Sequence, residues 1–286
     1  MTSPDHPTRP EIHPLADLRC THDGGALESD GDVLRCSACE ARFAVVGGIP
    51  DFVHDSPTST ARWRAAQRYE LHYWTDAADP PPSDQAARWE AAARGLAARF
   101  DDAVGPGWRA RVLHVGPAGH GEIHHLPARE RWAAEPLAIA LDLAGRLDRT
   151  EGLRWVAAMG ERLPFADAWF SAALLPNVID HVADPARLLE ELSRCLAPGA
   201  PVWISGHVAR APFASLLAAL GRTRIGYFAG HPWAFSERSL DALVSGAGLS
   251  IVAAHTGPAV EAAKPIGLRA RLKDRVIASR YLLAHA

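Results

Sequence analysis

The segment from Gly160 to Ser205 constrains the fold more than any other part of this chain. It passes in order through a loop, the apolar run SAALL, a second loop, an amphipathic stretch, the turn APGA and the apolar run VWIS. Asp184 is a favoured helix N-cap residue, and Pro185 suits the first helical position. The predicted helix has an apolar face formed by Leu188, Leu189, Leu192 and Leu196. A buried strand, a capped helix and a second buried strand predict a βαβ unit with parallel strands.

Strand and helix patterns alternate from Arg111 onward, which predicts a parallel sheet covered by helices on both faces. The predicted strands are short and continuously apolar, as buried parallel strands are. They are Val112–Val115, Trp132–Glu135, Leu153–Ala157, Ser171–Leu175, Val202–Ser205 and Leu249–Ala253. Another helix is expected to begin after Ser236 and to end near Gly246 or Gly248. The predicted fold class is α/β, a Rossmann-like, doubly wound, mostly parallel sheet.

The chain divides into four predicted parts. Residues 1–15 are rich in proline and are expected to be disordered, 16–55 form a small module, 56–104 form a helical cap or linker, and 105–286 form the main domain. The formal net charge is −3, which disfavours nucleic acid as a partner. The apolar runs are shorter than the ~18 residues of a membrane span, and no signal-peptide pattern stands at the N-terminus. A cytoplasmic location without membrane association follows by elimination.

A glycine-rich loop, VGPAGHGE, follows the first predicted strand of the main domain. Glycines at such a turn allow the backbone to approach a ligand closely, although a plain strand–helix turn has the same composition. Glu135 closes the next strand about 20 residues after Gly116, the spacing at which nucleotide-binding folds place a ribose-binding carboxylate. The loop and Glu135 together predict a nucleotide-like cofactor.

Several motifs in this order resemble the class I S-adenosylmethionine (SAM)-dependent methyltransferases, in particular their small-molecule "type 11" branch. The matching elements are GERLPF at 160–165, NVIDHV at 177–182, the Asp-Pro pair that starts the helix, and the PG turn. VLHVGPAGHG resembles the family's first SAM motif, and Glu135-Pro136-Leu137 resembles its acidic-Pro-Leu element. Two positions depart from the pattern, because His114 replaces the usual acid and Ala118 replaces the second glycine.

The resemblance implies that SAM is the cofactor and that its site follows the ends of the first four strands. The implied cofactor-binding residues are His114, Gly116, Ala118, Gly121, Glu135, Pro136, Gly160, Glu161, Asn177 and Val178. Two of them have a structural alternative. His114 is equally well interpreted as a buried histidine whose ring hydrogen-bonds to the backbone, and Glu161 can instead cap the turn that follows it.

Two histidines are the candidate catalytic residues on the acceptor side. His181 follows the fourth strand, near the edge where open α/β sheets bind ligands, and it can act as a general base or pack the loop. His231 lies in HPWAFS, which the family often places beside the acceptor. His231 and Trp233 either form a wall of the substrate pocket or belong to a loop that packs over the core. The aromatic residues between Trp63 and Trp74 are either a lid or the core of the cap.

The N-terminal module carries three of the four cysteines, in the pattern CTHD followed by CSAC. It resembles the Trm112-type zinc-ribbon-like module, whose full form has two C-x-x-C pairs. The candidate ligands of a structural zinc ion are Cys20, Asp23, Cys36 and Cys39, with His22 as an alternative to the aspartate. The other interpretation is a degenerate module held by apolar packing alone. The apolar residues in question are Leu34, Phe43, Val45, Ile49 and Phe52.

Three functions are compatible with these patterns. The first is a SAM-dependent methyltransferase that transfers a methyl group to an O, N or C atom of a small molecule, in metabolism or specialised biosynthesis. The second is an rRNA or tRNA base methyltransferase, which the net negative charge of the chain disfavours. The third is a non-methylating enzyme or binding protein of the same fold, because the cofactor motif departs from the family at His114 and Ala118.

Overall fold

A computed structural model describes residues 17–53, 61–75, 83–119, 121–210, 231–257 and 277–286. Residues 1–15, for which disorder is predicted, lie outside the described residues, and the side chain of Trp63 is not described either. Within the described residues, no helix is both long enough and apolar enough to span a bilayer.

The N-terminal module is a four-stranded antiparallel sheet in which each strand pairs with the next. Its strands are β1 (Leu27–Asp30), β2 (Val33–Cys36), β3 (Arg42–Val46) and β4 (Ile49–Pro50). Burial alternates along β3, where Phe43 and Val45 point inward. One face of this sheet is therefore apolar and must be covered by another part of the chain.

The main sheet has seven strands in the order β10-β11-β9-β8-β5-β6-β7. They are β5 (Arg111–Val115), β6 (Glu130–Ala134), β7 (Leu153–Val156), β8 (Ala172–Pro176), β9 (Pro201–Ala209), β10 (Ser250–Gly257) and β11 (Ile277–His285). The five strands from β7 to β9 pair in parallel, whereas β11 lies antiparallel between β9 and β10. The predicted doubly wound, mostly parallel sheet is confirmed, and each of the six predicted strands is present within a few residues of its expected bounds.

Five α-helices stand among the described residues, with two short 3₁₀ segments at Pro106–Trp108 and Glu122–His125. They are α1 (Ala61–Thr75), α2 (Ser83–Val104), α3 (Ala138–Leu143), α4 (Pro185–Cys195) and α5 (Glu237–Gly246). Asp184 caps α4 by accepting from Ala186 N and Arg187 N, as predicted. Ser236 caps α5 in a reciprocal box with Ser239, which confirms the second predicted cap.

The N-terminal module shares its core with the main domain. Leu18 and Phe43 belong to the same buried cluster as Phe165, on the main domain. Backbone hydrogen bonds continue the contact, from Arg19 N to Pro164 O at 2.9 Å and from Phe52 N to Ala157 O at 2.8 Å. The module therefore buries its apolar face against the larger domain, which removes the need for a self-sufficient core in so short a segment.

The aromatic residues of α1 divide between core and surface. Trp74 packs against the cluster that contains Ile49 and Leu141, whereas Tyr69 and Tyr73 are 42% and 44% exposed. The core interpretation is thus confirmed for Trp74 and wrong for the two tyrosines. The helix faces the carboxyl edge of the main sheet, because Glu70 contacts His181 there at 3.3 Å.

Candidate functional site at the carboxyl edge of the sheet

The carboxyl ends of β5, β6, β8 and β9 converge on one edge of the sheet. Gly116 N donates to Ala134 O at 2.8 Å, which joins the loops after β5 and β6. Asn177 N donates to Ser205 O at 2.9 Å, which joins the loop after β8 to β9. Open α/β sheets bind ligands at such an edge, where the loops of neighbouring strands separate. Most of the predicted site residues lie here.

The glycine-rich loop is packed so closely that two positions have no room for a side chain. Gly116 has φ +69°, and a Cβ there would lie 2.6 Å from Cγ2 of Val178. At Gly119 a Cβ would lie 2.0 Å from the carbonyl oxygen of Arg146. Ala118 has φ +57°, a left-handed conformation that favours glycine, which explains in physical terms why glycine is usual there.

Glu135 holds this loop in place. Its carboxylate accepts from Ala118 N in the glycine loop at 3.0 Å and from Leu137 N, just after Pro136, at 2.9 Å. Burial raises the pKa of Glu135 to about 7, against the opposing effect of the two amide donors. Two of the four lone-pair positions of the carboxylate are used by these amides, which leaves acceptor capacity for two hydroxyl groups.

His114 is fully buried behind the loop and faces a second acidic residue. Its Nε2 lies 3.6 Å from a carboxylate oxygen of Glu122, at the start of the 3₁₀ segment. A Cβ at Gly121 would lie 2.9 Å from the imidazole Cε1, so the glycine gives the ring its space. Burial raises the pKa of Glu122. The sequence did not single out Glu122; its position in the same loop as the replaced acid was the available signal.

Glu161 contacts the start of α4. It accepts from Ala183 N at 2.7 Å and from Asp184 N at 3.1 Å, and burial raises its pKa. These contacts are with the start of α4 and not with the turn that follows Glu161, so both the capping alternative and the role toward the cofactor stay predictions. Gly160 is buried beside it, where a Cβ would lie 2.4 Å from Cδ1 of Leu188.

Asp180 is the centre of a buried cluster on the acceptor side. Its Oδ2 lies 2.9 Å from Nδ1 of His231 and 3.2 Å from Nδ1 of His207. The His181 ring packs against that of His231 at an interplanar angle of 53°, with centroids 4.2 Å apart, and its Nδ1 lies 3.3 Å from Glu70 of α1. The structure thus brings together both predicted catalytic histidines, and it adds His207 from β9, which the sequence did not indicate.

The charges around Asp180 keep it ionised. Burial alone would raise its pKa, but the nearby His181 and the hydrogen bonds from His207 and His231 hold the pKa well below its usual value. An ionised carboxylate that accepts from an imidazole Nδ1–H fixes the tautomer and the orientation of the ring. Each ring held in this way presents Nε2 as its proton-accepting atom.

The N-terminal candidate metal ligands form a second cluster, remote from this edge in the sequence. The ligand atoms of Cys20, Asp23, Cys36 and Cys39 all lie within 4.8 Å of one another. The Sγ atoms of Cys20 and Cys39 are 3.6 Å apart, and Cys36 Sγ lies 3.4 Å from Asp23 Oδ1. A tetrahedral zinc ion separates two sulfurs by about 3.8 Å, and a sulfur and an oxygen by about 3.5 Å. The four predicted ligands therefore fit zinc in kind and in spacing.

The backbone around this cluster favours negatively charged ligands. His22 N donates to Cys20 Sγ at 3.3 Å, and Ala38 N donates to Cys36 Sγ at 3.4 Å. A hydrogen bond from Gly25 N is the main cause that lowers the pKa of Asp23 to about 2. The His22 ring packs edge-on against Phe43, so the aspartate rather than the histidine joins the three cysteines.

Comparison with known proteins finds similarity in the main domain. Residues 113–204 match the family model of a methyltransferase domain, Methyltransf_11. An uncharacterized methyltransferase of Mycobacterium sp. (strain KMS) is 44% identical over 62 residues, which are 22% of this chain and 25% of that relative. An uncharacterized methyltransferase of Mycolicibacterium gilvum (strain PYR-GCK) is 44% identical over 59 residues. The matches span about a quarter of the length of these curated relatives.

Solved structures share the fold at low sequence identity. The 1,6-didemethyltoxoflavin-N1-methyltransferase of Burkholderia thailandensis superposes with a TM-score of 0.53 at 19% identity, and covers 89% of this chain and 99% of its own. The [4+2]-cyclase SpnF has a TM-score of 0.53 at 16% identity, and covers 80% of this chain and 97% of its own. The sheet order, the glycine loop and the match of residues 113–204 agree, and the main domain therefore has the Rossmann-like fold of methyltransferases.

Proposed function

We propose that this protein is a SAM-dependent methyltransferase that acts on a small-molecule acceptor. The observation that carries the proposal is the close packing of the Gly116 loop against Glu135 at the carboxyl edge, within the segment that matches the methyltransferase family. SpnF has the same fold and is named as a cyclase, so the fold alone does not select the reaction. The proposal depends on the residues of this site.

The residues at the edge fit the chemical groups of SAM. The loop through Gly116 and Ala118 lies where the cofactor would pass, and Glu135 keeps acceptor capacity for the two ribose hydroxyls. The departure at His114 removes a carboxyl group, and Glu122 places one 3.6 Å from the imidazole. Burial raises the pKa of Glu122, whereas a nearby ammonium group favours its ionised form, and we assign Glu122 to the cofactor's ammonium group.

The remaining implied cofactor residues extend this surface along the edge. Val178 fills the space left by Gly116, and Asn177 precedes it with φ +56°, a conformation that asparagine tolerates. Pro136 directs the chain away after Glu135, and Gly160 allows the next loop to lie close to α4. We assign these residues and Gly121 to cofactor binding. Glu161 acts on the same surface by holding the loop before α4.

When bound, SAM supplies an electrophilic methyl group for in-line displacement, and the protein supplies orientation. An acceptor that arrives as O–H or N–H must also lose a proton. His231, whose Nδ1 lies 2.9 Å from Asp180, is oriented to accept that proton at Nε2. His181 packs against the same ring and positions it from the side of α1.

The acceptor side favours a small molecule over RNA. Glu70 of α1 reaches His181 at 3.3 Å, so a helix with a carboxylate at this point covers part of the mouth. An acid placed there repels a phosphate backbone, and the chain has a net charge of −3. The Burkholderia relative is named for methyl transfer to a small heterocycle, which is the class of acceptor we propose.

A screen with methyl-labelled SAM and a library of small phenols, amines and acids tests this function. The proposal predicts labelled product with at least one small-molecule class and none with tRNA or rRNA fragments. Labelling of RNA alone would refute the small-molecule assignment. Product formation should fall more than about 100-fold in His231→Gln, the usual contribution of a general base, and remain in the exposed control His255→Gln.

We also propose that the N-terminal cluster holds a structural zinc ion through Cys20, Asp23, Cys36 and Cys39. The spacing and the amide donors described above support it. Elemental analysis of the purified chain should show zinc. The zinc should be lost in a Cys36→Ser/Cys39→Ser variant and kept in the control Cys195→Ala, because Cys195 is buried on α4, away from the cluster in sequence. Equal zinc content in both variants would contradict the assignment.

A further inference from the structure

Three chain segments that are far apart in the sequence place metal-ligating atoms together beside the acceptor mouth. Asp180 follows β8, His207 lies on β9, and His231 precedes α5. Their ligand atoms, one carboxylate oxygen and two Nδ1 atoms, all lie within 4.8 Å of one another. Asp180 is 1% exposed and His207 is 8% exposed, so bulk water does not hydrate this cluster.

The distances within the cluster match those between ligands of one metal ion. Asp180 Oδ2 lies 2.9 Å from one Nδ1 atom and 3.2 Å from the other. With metal–ligand bonds of about 2.0–2.1 Å, nitrogen and oxygen ligands are about 2.9 Å apart in an octahedron and about 3.3 Å apart in a tetrahedron. Small side-chain adjustments would therefore bring all three atoms into one coordination sphere.

The carboxylate has further capacity for a cation. Among the described residues, Asp180 Oδ1 is buried and accepts no hydrogen bond, and the Nε2 of His181 lies 4.0 Å from it. A buried carboxylate oxygen without a hydrogen bond is costly, and a cation bound by both oxygens would satisfy it. Two imidazoles and one carboxylate leave coordination positions open, and this donor set suits divalent first-row transition metals.

We propose that Asp180, His207 and His231 bind one divalent transition-metal ion at the acceptor side of the site. In this state each imidazole coordinates through Nδ1 and carries its proton on Nε2, so a metal-bound His231 would not be the base proposed above. An acceptor oxygen that occupied an open coordination position would lose its proton more readily, and water would take up that proton. This last consequence rests on the proposed methyltransferase function, whereas metal binding itself does not.

Cobalt(II) titration of the metal-free full-length chain tests the proposal, because cobalt reports its ligands in the absorption spectrum. The chain should bind two equivalents, one with a thiolate-to-cobalt charge-transfer band from the N-terminal cysteines and one with d–d bands alone. In a Cys36→Ser/Cys39→Ser background the charge-transfer band should vanish, while one equivalent still binds. Adding His207→Gln to this background should weaken the remaining cobalt binding by more than about tenfold.

The matched control is His255→Gln, which changes an exposed histidine of β10 and should leave cobalt binding unchanged. Asp180→Asn provides a second variant if His207→Gln fails to give a native circular-dichroism spectrum. Absence of cobalt from the Cys36→Ser/Cys39→Ser background, or binding that His207→Gln and Asp180→Asn both leave intact, would show that the cluster is only a hydrogen-bonded triad. SAM titration of the same variants reports the methyltransferase function separately.

Discussion

The affinity for SAM should depend on pH through one residue, Glu135. Burial raises the pKa of this carboxyl to about 7, so near neutral pH it exchanges between a protonated and an ionised form. Ribose hydroxyl groups donate hydrogen bonds and therefore favour the ionised form. Binding of SAM is then coupled to the release of a proton, and the affinity should rise with pH until Glu135 is fully ionised.

The size of the effect follows from this pKa. At pH 8 about nine-tenths of Glu135 is ionised, and at pH 6 about one-tenth is, so the Kd for SAM should be about tenfold higher at pH 6, or ~1.4 kcal/mol. In the unfolded chain this carboxyl has a pKa near 4.5, the ordinary value for glutamate. Because the folded form holds the proton more tightly, the contribution of Glu135 to stability is greatest below 4.5. It declines by roughly 3 kcal/mol as the pH rises through 7.

Isothermal titration calorimetry at pH 6, 7 and 8 measures the first effect. The comparison is with Glu135→Gln, in which the cofactor's own ammonium group still titrates but the carboxyl does not. The exposed Glu151→Gln is the matched control and should follow the wild-type profile. A pH profile in Glu135→Gln identical to that of the wild type would refute the assignment of Glu135 to the ribose.

Three further substitutions test other parts of the account. Gly116→Ala should destabilise the fold by about 2–4 kcal/mol in urea denaturation, because it combines a left-handed φ with a Cβ 2.6 Å from Val178. Adding Val178→Ala to the same chain should restore part of this stability. If the destabilisations of the two single substitutions simply add in the double variant, the clash is not the cause. Glu122→Gln should weaken SAM binding about tenfold in calorimetry without a large change in melting temperature, and unchanged affinity would remove Glu122 from the cofactor site. Gly25→Ala should lower the zinc content measured by elemental analysis, since its Cβ would lie 2.9 Å from both Cys36 Sγ and Asp23 Oδ1; full occupancy would contradict the proposed ligand geometry.

The strands of the main sheet were predictable because buried parallel strands are short, continuous apolar runs. β11 was not, since ASRYLLAH mixes polar and apolar residues and the strand is fixed by its neighbours. Its nine-residue antiparallel pairing with β9 also extends β9 to Ala209, four residues beyond the predicted end at Ser205. That extension places His207 in the sheet, which explains why the sequence pattern did not indicate it.

The candidate site was predictable where one loop contains the whole pattern. The glycine loop and Glu135 could be placed from their spacing along the chain, and in the structure the two are in contact through Ala118 N. The cluster around Asp180 could not, because its partners lie 27 and 51 residues away in sequence and meet only through the strand order. The contact of Glu161 with the start of α4 depends in the same way on tertiary packing.

Calorimetric titration of the full-length chain with SAM at pH 8 tests the central claim most directly. The account predicts one bound SAM per chain, with affinity reduced in both Glu135→Gln and Glu122→Gln. The absence of binding at millimolar SAM, in a chain whose circular dichroism shows the native fold, would contradict the claim that this edge of the sheet is a SAM site.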